Sequence, residues 1–369
     1  MKIAIVHDFL YQYGGAERVL EVIKELYPEA PVYTSLYDPK YMSETIKNWE
    51  IITPKFTSFP ALTKIHKYYT FLLPLFFEHF ELHQYDVIIS STAHFAKGIL
   101  TKPSQVHICY CHTPPRFLYH YETEINRHSI AIYKPILAFV DHYLRIWDFL
   151  AAQRVDYFVA NSVNVQKRIS KFYRREATVI HPPLMTSYKF DNDKLIQVKE
   201  GSYFLVVSRL AAYKNIDLGI RVCNELKIPL HIVGVGKEEK RLKVISGATV
   251  TFLGQLSEER LAEEYQNCKA LLYLCEEDFG MTPIEAMAYG KPIIAYGRGG
   301  VMESVVRGET GEFFDELTQE SLAKLLIHFN SQKYSAQSCR RQAAKFSKEQ
   351  FKKQFQSFVA QRWEEHQHA

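Results

Sequence analysis

Residues 277–295 read Glu277-Asp-Phe-Gly280-Met-Thr-Pro-Ile-Glu285-Ala-Met-Ala-Tyr-Gly290-Lys-Pro-Ile-Ile-Ala295. A glycine turn leads into a helical pattern, and a strand pattern follows. Two glutamates therefore lie on a loop and inside a helix, where both carboxylates can face one cleft at the carboxyl end of a strand. Carboxylates accept hydrogen bonds from pairs of hydroxyl groups. Sugar oxygens or a phosphate suit the backbone amides at the start of the helix, which belong to Phe279, Gly280, Met281 and Thr282.

Outward from this stretch, short β-branched runs alternate with helical patterns along most of the chain. Strands are predicted at Lys2–Val6, Val32–Leu36, Val87–Ser90, His107–Cys109, Tyr157–Ala160 and Thr178–Ile180. A second series follows at Tyr203–Val207, Leu230–Val233, Val250–Phe252, Ala270–Leu274 and Pro292–Ala295. This alternation is typical of parallel sheets covered by helices.

The chain is predicted to have two domains. At 369 residues it exceeds the size of one ordinary domain. After His181-Pro-Pro183 the sequence turns polar and irregular before the second series of strands begins. We predict an α/β fold with Rossmann-like domains at 1–185 and 186–345, and a final helix in 346–369 that crosses back to the first domain.

A glycine pair near the start of the chain is a candidate anion site. Gly14-Gly15-Ala-Glu-Arg18 follows the first predicted strand and opens a helix. Paired glycines let a ligand approach backbone amides at the positive end of a helix, so a phosphate would fit. A plain tight turn explains the same residues, and the spacing is not that of a dinucleotide-binding loop.

Two other nucleotide-binding patterns fail on inspection. Gly236-Lys237 and Gly290-Lys291 are followed by Glu238 and Pro292, where a P-loop requires Ser or Thr to hold magnesium. Gly234-Val-Gly236 has glutamate in place of the third glycine of a dinucleotide fingerprint. A P-loop NTPase is excluded, and a dehydrogenase loses most of its support.

Three further residues are candidates for the site. Arg209 and Lys214 follow the first strand of the second domain, five positions apart, where two cations can bind a diphosphate more firmly than one. His112 follows an apolar strand and precedes Pro114-Pro115, so its imidazole can meet a substrate hydroxyl. The alternatives are solvated surface charge for the cations and a structural role for the histidine.

Composition narrows the class of protein. The net charge of +4 is spread over a large chain and does not favour nucleic-acid binding. The six cysteines form no CxxC pair, and Cys109 and Cys111 are predicted to be buried thiols in a strand. No metal-ligand spacing occurs, and Asp191-Asn-Asp193 is interpreted as a solvated loop. The apolar run at Met1–Val6 is too short for a signal peptide, so a cytoplasmic protein is expected.

One segment leaves two interpretations open. Residues 62–77 are basic at Lys64 and Lys67, continue through Tyr68 and Tyr69, and are then strongly apolar. A buried helix explains most of this pattern. Peripheral contact with an anionic membrane surface, which would bring the protein to a lipid-linked acceptor, explains it equally well.

The Glu277-to-Glu285 pattern resembles the signature of the retaining glycosyltransferases of family 4, which have the two-domain GT-B fold. The glycine loop at 14–18, Ser208-Arg209 with Lys214-Asn215, Gly299-Gly300-Val301 with Glu303, and His112 also fall where that family has counterparts. Val6-His-Asp-Phe, Tyr110-Cys-His-Thr-Pro and Asp278-Phe-Gly are most similar to bacterial mannosyltransferases of O-antigen and exopolysaccharide assembly. The resemblance spans nearly the whole chain.

The resemblance implies transfer of a hexose from a nucleotide sugar to a glycan or lipid-linked glycan, with the anomeric configuration kept and no metal or other cofactor. It implies that Arg209 and Lys214, helped by Gly14-Gly15, stabilise the departing diphosphate. It further implies that Glu285 binds the ribose, that Glu277 and the amides after it hold the donor sugar, and that His112 lines that sugar. GDP-mannose is the expected donor and UDP-glucose the alternative. A sugar-nucleotide epimerase of the same fold and a noncatalytic nucleotide-sugar-binding module are the rival functions.

Overall fold

A computed structural model describes residues 1–54, 70–119, 121, 134–185 and 201–368. The chain forms two compact units, one of Met1–Pro183 with Glu349–Ala369 and one of Leu184–Lys348. The sequence predicted breaks at 185/186 and 345/346, which differ from these boundaries by two and three residues. Each unit is built on a parallel sheet flanked by helices, so the predicted α/β class is confirmed.

The first unit contains a seven-stranded parallel sheet with the order β3-β2-β1-β4-β5-β6-β7. Its strands are β1 Ile3–His7, β2 Val32–Thr34, β3 Ile51–Ile52, β4 Val87–Thr92, β5 Val106–Cys111, β6 Tyr157–Ala160 and β7 Ala177–Val179. β4 and β5 are buried throughout, as expected of strands covered on both faces. β1 lies beside β4 with His7 opposite Ser91, which brings polar residues together at the carboxyl edge of the sheet.

The described helices of this part of the chain are α1 Gly15–Leu26, α2 Glu44–Lys47, α3 Leu73–Glu78, α4 Lys134–Gln153 and α5 Val163–Tyr173. α1 begins where the glycine pair predicted it, with Gly14 at the N-cap. Glu17 in the first turn and Lys24 in the last turn complement the helix dipole.

The second unit contains a six-stranded parallel sheet with the order β10-β9-β8-β11-β12-β13. Its strands are β8 Phe204–Val207, β9 Leu230–Val233, β10 Val250–Gly254, β11 Ala270–Tyr273, β12 Ile293–Tyr296 and β13 Gly311–Phe314. Its described helices are α6 Ile216–Glu225, α7 Glu239–Ile245, α8 Glu258–Asn267, α9 Met281–Ala288, α10 Val301–Ser304, α11 Gln319–His328 and α12 Ala336–Ala344. The strand order repeats that of the first six strands of the first sheet.

The last helix, α13 Lys348–Gln367, belongs to the first unit from Glu349 onward. Its Phe351 and Phe355 rings lie 5.8 and 6.0 Å from the ring of Tyr110 on β5. Lys352 forms an ion pair of 2.7 Å with Glu25 on α1. The predicted return of the final helix to the first domain is confirmed.

Most strand boundaries follow the β-branched runs. β6 and β9 have the predicted residues, whereas β3 and β13 were missed because β3 has only two residues and β13 begins with glycine and glutamate. All six cysteines lie in the described part of the chain and are buried thiols, which confirms the prediction for Cys109 and Cys111.

Several sequence predictions concern residues outside the described ranges. They include Lys64, Lys67, Tyr68 and Tyr69 of the proposed membrane-contacting segment and the triplet Asp191-Asn-Asp193. Among the described helices, none combines the length and apolar character needed to span a bilayer.

Candidate active site

The second unit brings the predicted lysine and the loop glutamate into direct contact. The Lys214 ammonium forms a short ion pair with Oε1 of Glu277, and the Tyr273 hydroxyl donates a hydrogen bond of 2.5 Å to Oε2 of the same carboxylate. Lys214 is buried, whereas Glu277 is about one quarter exposed. Both carboxylate oxygens of Glu277 are therefore held in place at the end of β11.

Charge pairing keeps Lys214 protonated. Burial would lower the pKa of its ammonium, but the adjacent Glu277 carboxylate outweighs that effect and raises the pKa above its ordinary value. A buried cation at the end of a strand, with its countercharge on one side, is suited to binding an anionic ligand.

Backbone contacts position the loop that carries Arg209 and Lys214. A Cβ atom on Gly234 would lie 2.0 Å from the carbonyl oxygen of Ser208, and one on Gly236 would lie 2.3 Å from that of Leu210. These glycines thus allow the loop to pack directly against the segment after β9. Sequence reasoning treated them only as a failed dinucleotide fingerprint.

The two ends of this loop differ. Asn215, with a positive φ of 52°, donates from its side-chain amide to the Leu274 carbonyl oxygen at 3.1 Å, which fixes the Lys214 end beside β11. The exposed Arg209 guanidinium donates to the Tyr213 hydroxyl at 3.3 Å. The two predicted cations therefore share one loop, one buried and one at the surface.

Helix α9 begins beside the Glu277 carboxylate. Its N-cap, Gly280, has a φ of +90°, and a Cβ atom there would lie 2.6 Å from the Tyr273 hydroxyl. Only glycine fits this position without displacing the tyrosine that holds Glu277. Early helix amides have no acceptor within the helix, so those of Met281 and Thr282 are suited to an anion or a sugar oxygen.

Phe279 differs from the other members of this segment because its side chain is buried in the second unit. Its ring lies 5.5 Å from the ring of Phe346. The sequence prediction for Phe279 concerned only its backbone amide, and its side chain belongs to the hydrophobic core of the second unit.

Glu285 lies inside α9, as predicted, and is buried. Its Oε2 accepts a hydrogen bond of 2.8 Å from the Tyr265 hydroxyl, and the Tyr265 ring stacks on that of Tyr289 at 5.5 Å. A buried carboxylate with a defined orientation can accept further hydrogen bonds from a pair of hydroxyl groups.

A second glycine turn packs on the backbone of the glutamate loop. The Gly300 amide donates to the Glu277 carbonyl oxygen at 2.9 Å. Gly299 has a φ of +75°, and a Cβ atom there would lie 2.4 Å from the same oxygen. The Gly299-Gly300 pair thus fixes the main chain that presents the Glu277 side chain.

In the first unit, a line of polar side chains connects His112 with the glycine loop. Nε2 of His112 lies 2.9 Å from Oγ of Ser91, and that oxygen lies 3.1 Å from Nδ1 of His7. Nε2 of His7 lies 3.6 Å from Oε1 of Glu17, whose Oε2 accepts a hydrogen bond of 2.7 Å from the Gly14 amide. Sequence reasoning identified His112 and the glycines but missed His7, Ser91 and the role of Glu17.

This contact changes the prediction for the glycine loop. The Gly14 amide already donates to Glu17, so it is occupied in this structure. The next amides at the start of α1 belong to Gly15 and Ala16. The first amides of an α-helix have no acceptor within the helix. The anion site predicted for Gly14-Gly15 is thereby limited to its second glycine and the residue after it.

His112 is held as a neutral imidazole at physiological pH. Burial, together with the neighbouring His7, lowers its pKa to about 3 against the opposing effect of Asp8. Its carbonyl oxygen accepts from the Asn161 side-chain amide at 2.9 Å, and its own amide donates to the Thr92 carbonyl oxygen at 2.8 Å. The ring is therefore positioned from both its backbone and its side chain.

Asp8, next to His7, has a structural task. Its carboxylate accepts five hydrogen bonds of 2.6–2.9 Å, from the Thr92 hydroxyl and from the amides of Ala93, His94, Phe95 and Ala96. Burial would raise its pKa, but hydrogen bonding to His94, electrostatic interaction with His94 and His7, and the Ala96 amide lower that pKa well below the ordinary range. This carboxylate shapes the turn after β4, and its lone pairs are engaged.

Within the described ranges, no group of three or more His, Cys, Asp or Glu side chains is placed to hold a metal ion. Metal independence stays a prediction from the sequence.

The comparisons with known proteins agree with this architecture. Residues 188–346 match the family described as glycosyl transferases group 1. The alpha-1,3/1,6-mannosyltransferase ALG2 of Dictyostelium discoideum is 25% identical over 374 residues, covering 84% of this chain and 85% of that protein.

Solved structures show the same fold at low identity. The lipopolysaccharide outer core galactosyltransferase WaaB superposes with a TM-score of 0.68 at 17% identity, covering 98% of this chain and 100% of that one. Anabaena Alr3699/HepE in complex with UDP-glucose superposes with a TM-score of 0.66 at 20% identity, covering 98% and 100%. The two parallel-sheet units therefore have the GT-B fold.

Proposed function

We propose that the chain is a retaining, metal-independent hexosyltransferase of family 4, supported by the match of residues 188–346 to glycosyl transferases group 1 and by the GT-B fold. It transfers mannose from GDP-mannose to a hydroxyl of a glycan or a lipid-linked glycan. The relative named as an alpha-1,3/1,6-mannosyltransferase supports mannose as the sugar. UDP-glucose is the alternative donor, supported by the fold neighbour bound to it.

The observation that carries this proposal is the Lys214–Glu277 ion pair beside the Gly280 turn. Departure of a nucleoside diphosphate concentrates negative charge on the phosphates, so catalysis requires fixed positive groups at that point. Lys214 and Arg209 supply two cations on one loop. The α9 amides supply further hydrogen-bond donors, so the charge is neutralised without a metal in this proposal.

Each predicted residue has a distinct task in the proposed mechanism. Glu285, held by Tyr265, accepts hydrogen bonds from the ribose hydroxyls. Glu277 and the amides of Met281 and Thr282 hold the donor sugar. His112 belongs to the first domain and lines that sugar as a neutral imidazole. It contacts the sugar through a hydrogen bond and not through an ionic interaction.

Retention of configuration is proposed to proceed by front-face attack, in which the departing phosphate takes the proton of the acceptor hydroxyl. The state of Asp8 supports this route, because a carboxylate accepting five hydrogen bonds is a poor nucleophile. Isolation of a sugar covalently attached to the enzyme would contradict it.

The proposed partners are a nucleotide sugar, bound by the second domain, and a glycan or lipid-linked glycan, bound by the first. A cytoplasmic location, at the inner face of the cell membrane, follows from the use of a nucleotide sugar and a lipid-linked acceptor. No role in nucleic-acid binding is proposed.

A donor screen on the purified full chain tests this function. GDP-mannose, UDP-glucose and UDP-N-acetylglucosamine are incubated with EDTA, with and without extracts containing lipid-linked acceptor, and the sugar products are identified by mass spectrometry and NMR. The expected product is a mannosylated acceptor with the donor's anomeric configuration. An epimerised nucleotide sugar without diphosphate release would favour the epimerase, and donor binding without turnover would favour the binding module.

A further inference from the structure

The solvent side of helix α4 is apolar, which is unusual for a helix covering a sheet. Five large apolar side chains project from it, with exposed fractions of 75% for Phe139, 55% for Tyr143, 49% for Ile146, 38% for Phe149 and 53% for Leu150. Together they are called the α4 face. Surface helices normally turn charged and polar side chains toward water.

Helical spacing shows that the α4 face is separate from the core. Residues 139, 143, 146 and 150 follow one another at intervals of four, three and four, which places them on one stripe. Leu144, Trp147 and Ala151 occupy the opposite side and are buried in the first unit. The helix is therefore apolar on both sides, and its packing against the sheet uses only one.

The charges on α4 are arranged asymmetrically. Both acidic residues, Asp141 and Asp148, are buried, and Asp148 is neutralised by an ion pair with the buried Lys97. His142 is exposed within the α4 face, and Arg145 lies at its edge. The exposed side of this helix thus carries basic groups and no carboxylate.

We propose that the α4 face docks the protein onto an anionic lipid bilayer. Apolar and aromatic side chains insert at the headgroup boundary, and neighbouring basic groups pair with lipid phosphates. A second copy of this chain fits less well, because pairing two such faces would place basic groups near each other with no carboxylate on either face to compensate. The use of this docking rests on the proposed transfer to a lipid-linked acceptor.

The position of α4 relates the α4 face to the candidate site. Only three residues separate its last residue, Gln153, from the start of β6 at Tyr157, so α4 ends at the amino edge of the sheet and runs antiparallel to the strands. Fourteen residues back, Phe139 lies about 21 Å along the helix, whereas the six residues of β5 span about 20 Å. Phe139 therefore lies level with the carboxyl edge where His112 follows β5.

Vesicle co-sedimentation of the full chain tests the proposal without donor or acceptor. Vesicles of phosphatidylcholine alone are compared with vesicles containing one third phosphatidylglycerol, at low and high salt. The wild type is expected to sediment with the anionic vesicles, less so at high salt. The double variant Phe139→Ser/Ile146→Ser is expected to lose roughly tenfold or more of this binding.

Matched variants test whether vesicle binding depends on the α4 face, and not on exposed apolar side chains elsewhere or on loss of the fold. Ile327→Ser removes an apolar side chain of similar exposure, 61%, from α11 in the second unit and is expected to bind vesicles like the wild type. Phe139→Glu adds a negative charge that anionic lipid repels, so this variant is expected to lose binding. Because Phe139 is exposed, the substitution removes no core contacts. Thermal unfolding of each variant monitors the fold, and conservative Phe139→Leu is expected to retain binding.

Three results would overturn the proposal: no binding of the wild type to anionic vesicles, equal binding by the folded Phe139→Glu variant, or a dimer that the double variant converts to a monomer while the wild type ignores lipid. GDP release measured without vesicles is a separate readout and is expected to be unchanged in the double variant. Loss of vesicle binding therefore tests the α4 face, whereas absence of GDP release from the wild type tests the proposed function.

Discussion

The hydroxyl oxygen of Ser91 lies 2.9 Å from Nε2 of His112. The same oxygen contacts His7, whose ring approaches Glu17 on the first turn of α1. The orientation of the predicted sugar-contacting histidine is thus set by β4 and β1. We interpret Ser91 as a positioning residue for His112.

Substitution Ser91→Ala removes the group between the two histidine rings. The His112 ring then loses its side-chain hydrogen bond, and kcat is expected to fall roughly tenfold to a hundredfold with a smaller change in KM for the donor. The matched control is Ser90→Ala, since Ser90 is equally buried and contacts His107 instead. Equal losses in the two variants would show that cavity formation, and not the contact with His112, is responsible.

Substituting Lys214 and substituting Glu277 are expected to lower the free energy of unfolding by different amounts. Glu277→Gln leaves a buried ammonium without its carboxylate and is expected to lower the free energy of unfolding by about 2–3 kcal/mol. Lys214→Met is expected to cost less, because Glu277 is partly exposed to water. Urea unfolding measures both, and turnover is expected to be lost in each.

The double variant Lys214→Met/Glu277→Gln separates stability from function. It is expected to regain part of the folding stability lost by Glu277→Gln while remaining inactive. Strictly additive losses in unfolding free energy would contradict a direct interaction between the two side chains.

Gly280→Ala tests whether the turn before α9 holds Glu277 through Tyr273. The new methyl group would lie 2.6 Å from the tyrosine hydroxyl, so the donor KM is expected to rise about tenfold as the carboxylate is displaced. Gly254→Ala is the control, since Gly254 also has a positive φ, of +66°, but no atom lies within 4 Å of its added Cβ. Both variants carry backbone strain, and only Gly280→Ala is expected to change KM.

Because buried histidines resist protonation, we expect the free energy of unfolding to depend on pH. Burial, with the charges of Arg154 and Arg175, lowers the pKa of His107 to about 3, whereas an unfolded histidine titrates near 6.5. Between these values only the unfolded chain binds the proton, so the free energy of unfolding falls as pH falls, by up to about 1.4 kcal/mol per pH unit from this residue.

Urea midpoints at several pH values between 7 and 5 measure this slope. His107→Gln is expected to flatten it, while His328→Gln, which changes an exposed histidine, leaves it as in the wild type. Parallel slopes for His107→Gln and the wild type would contradict the assignment of a buried neutral imidazole.

The fold follows closely from local sequence patterns. β-branched runs identified β6 and β9 residue for residue, because a parallel sheet requires continuous apolar strands. β3 and β13 lacked that signal and form by pairing with neighbouring strands.

The candidate site was predictable where its residues are close in sequence. Glu277 lies on a loop and Glu285 in a helix, as the spacing indicated. The contacts of Ser91 join residues 84 and 21 positions away, which no local pattern connects. The polar run Ser90-Ser-Thr92 at the end of an apolar strand was the available signal, and parallel pairing of β1 with β4 supplies the rest.

Release of GDP from GDP-mannose in the presence of EDTA and acceptor extract is the decisive measurement for the proposed mannosyl transfer. Turnover by the wild type is expected, with losses of roughly a hundredfold or more in Arg209→Ala and Glu285→Ala. Arg260→Ala, which removes an exposed arginine of the same unit, is expected to retain full activity. No GDP release by the wild type, or undiminished release by the Arg209→Ala and Glu285→Ala variants, would rule out the proposed transfer at this site.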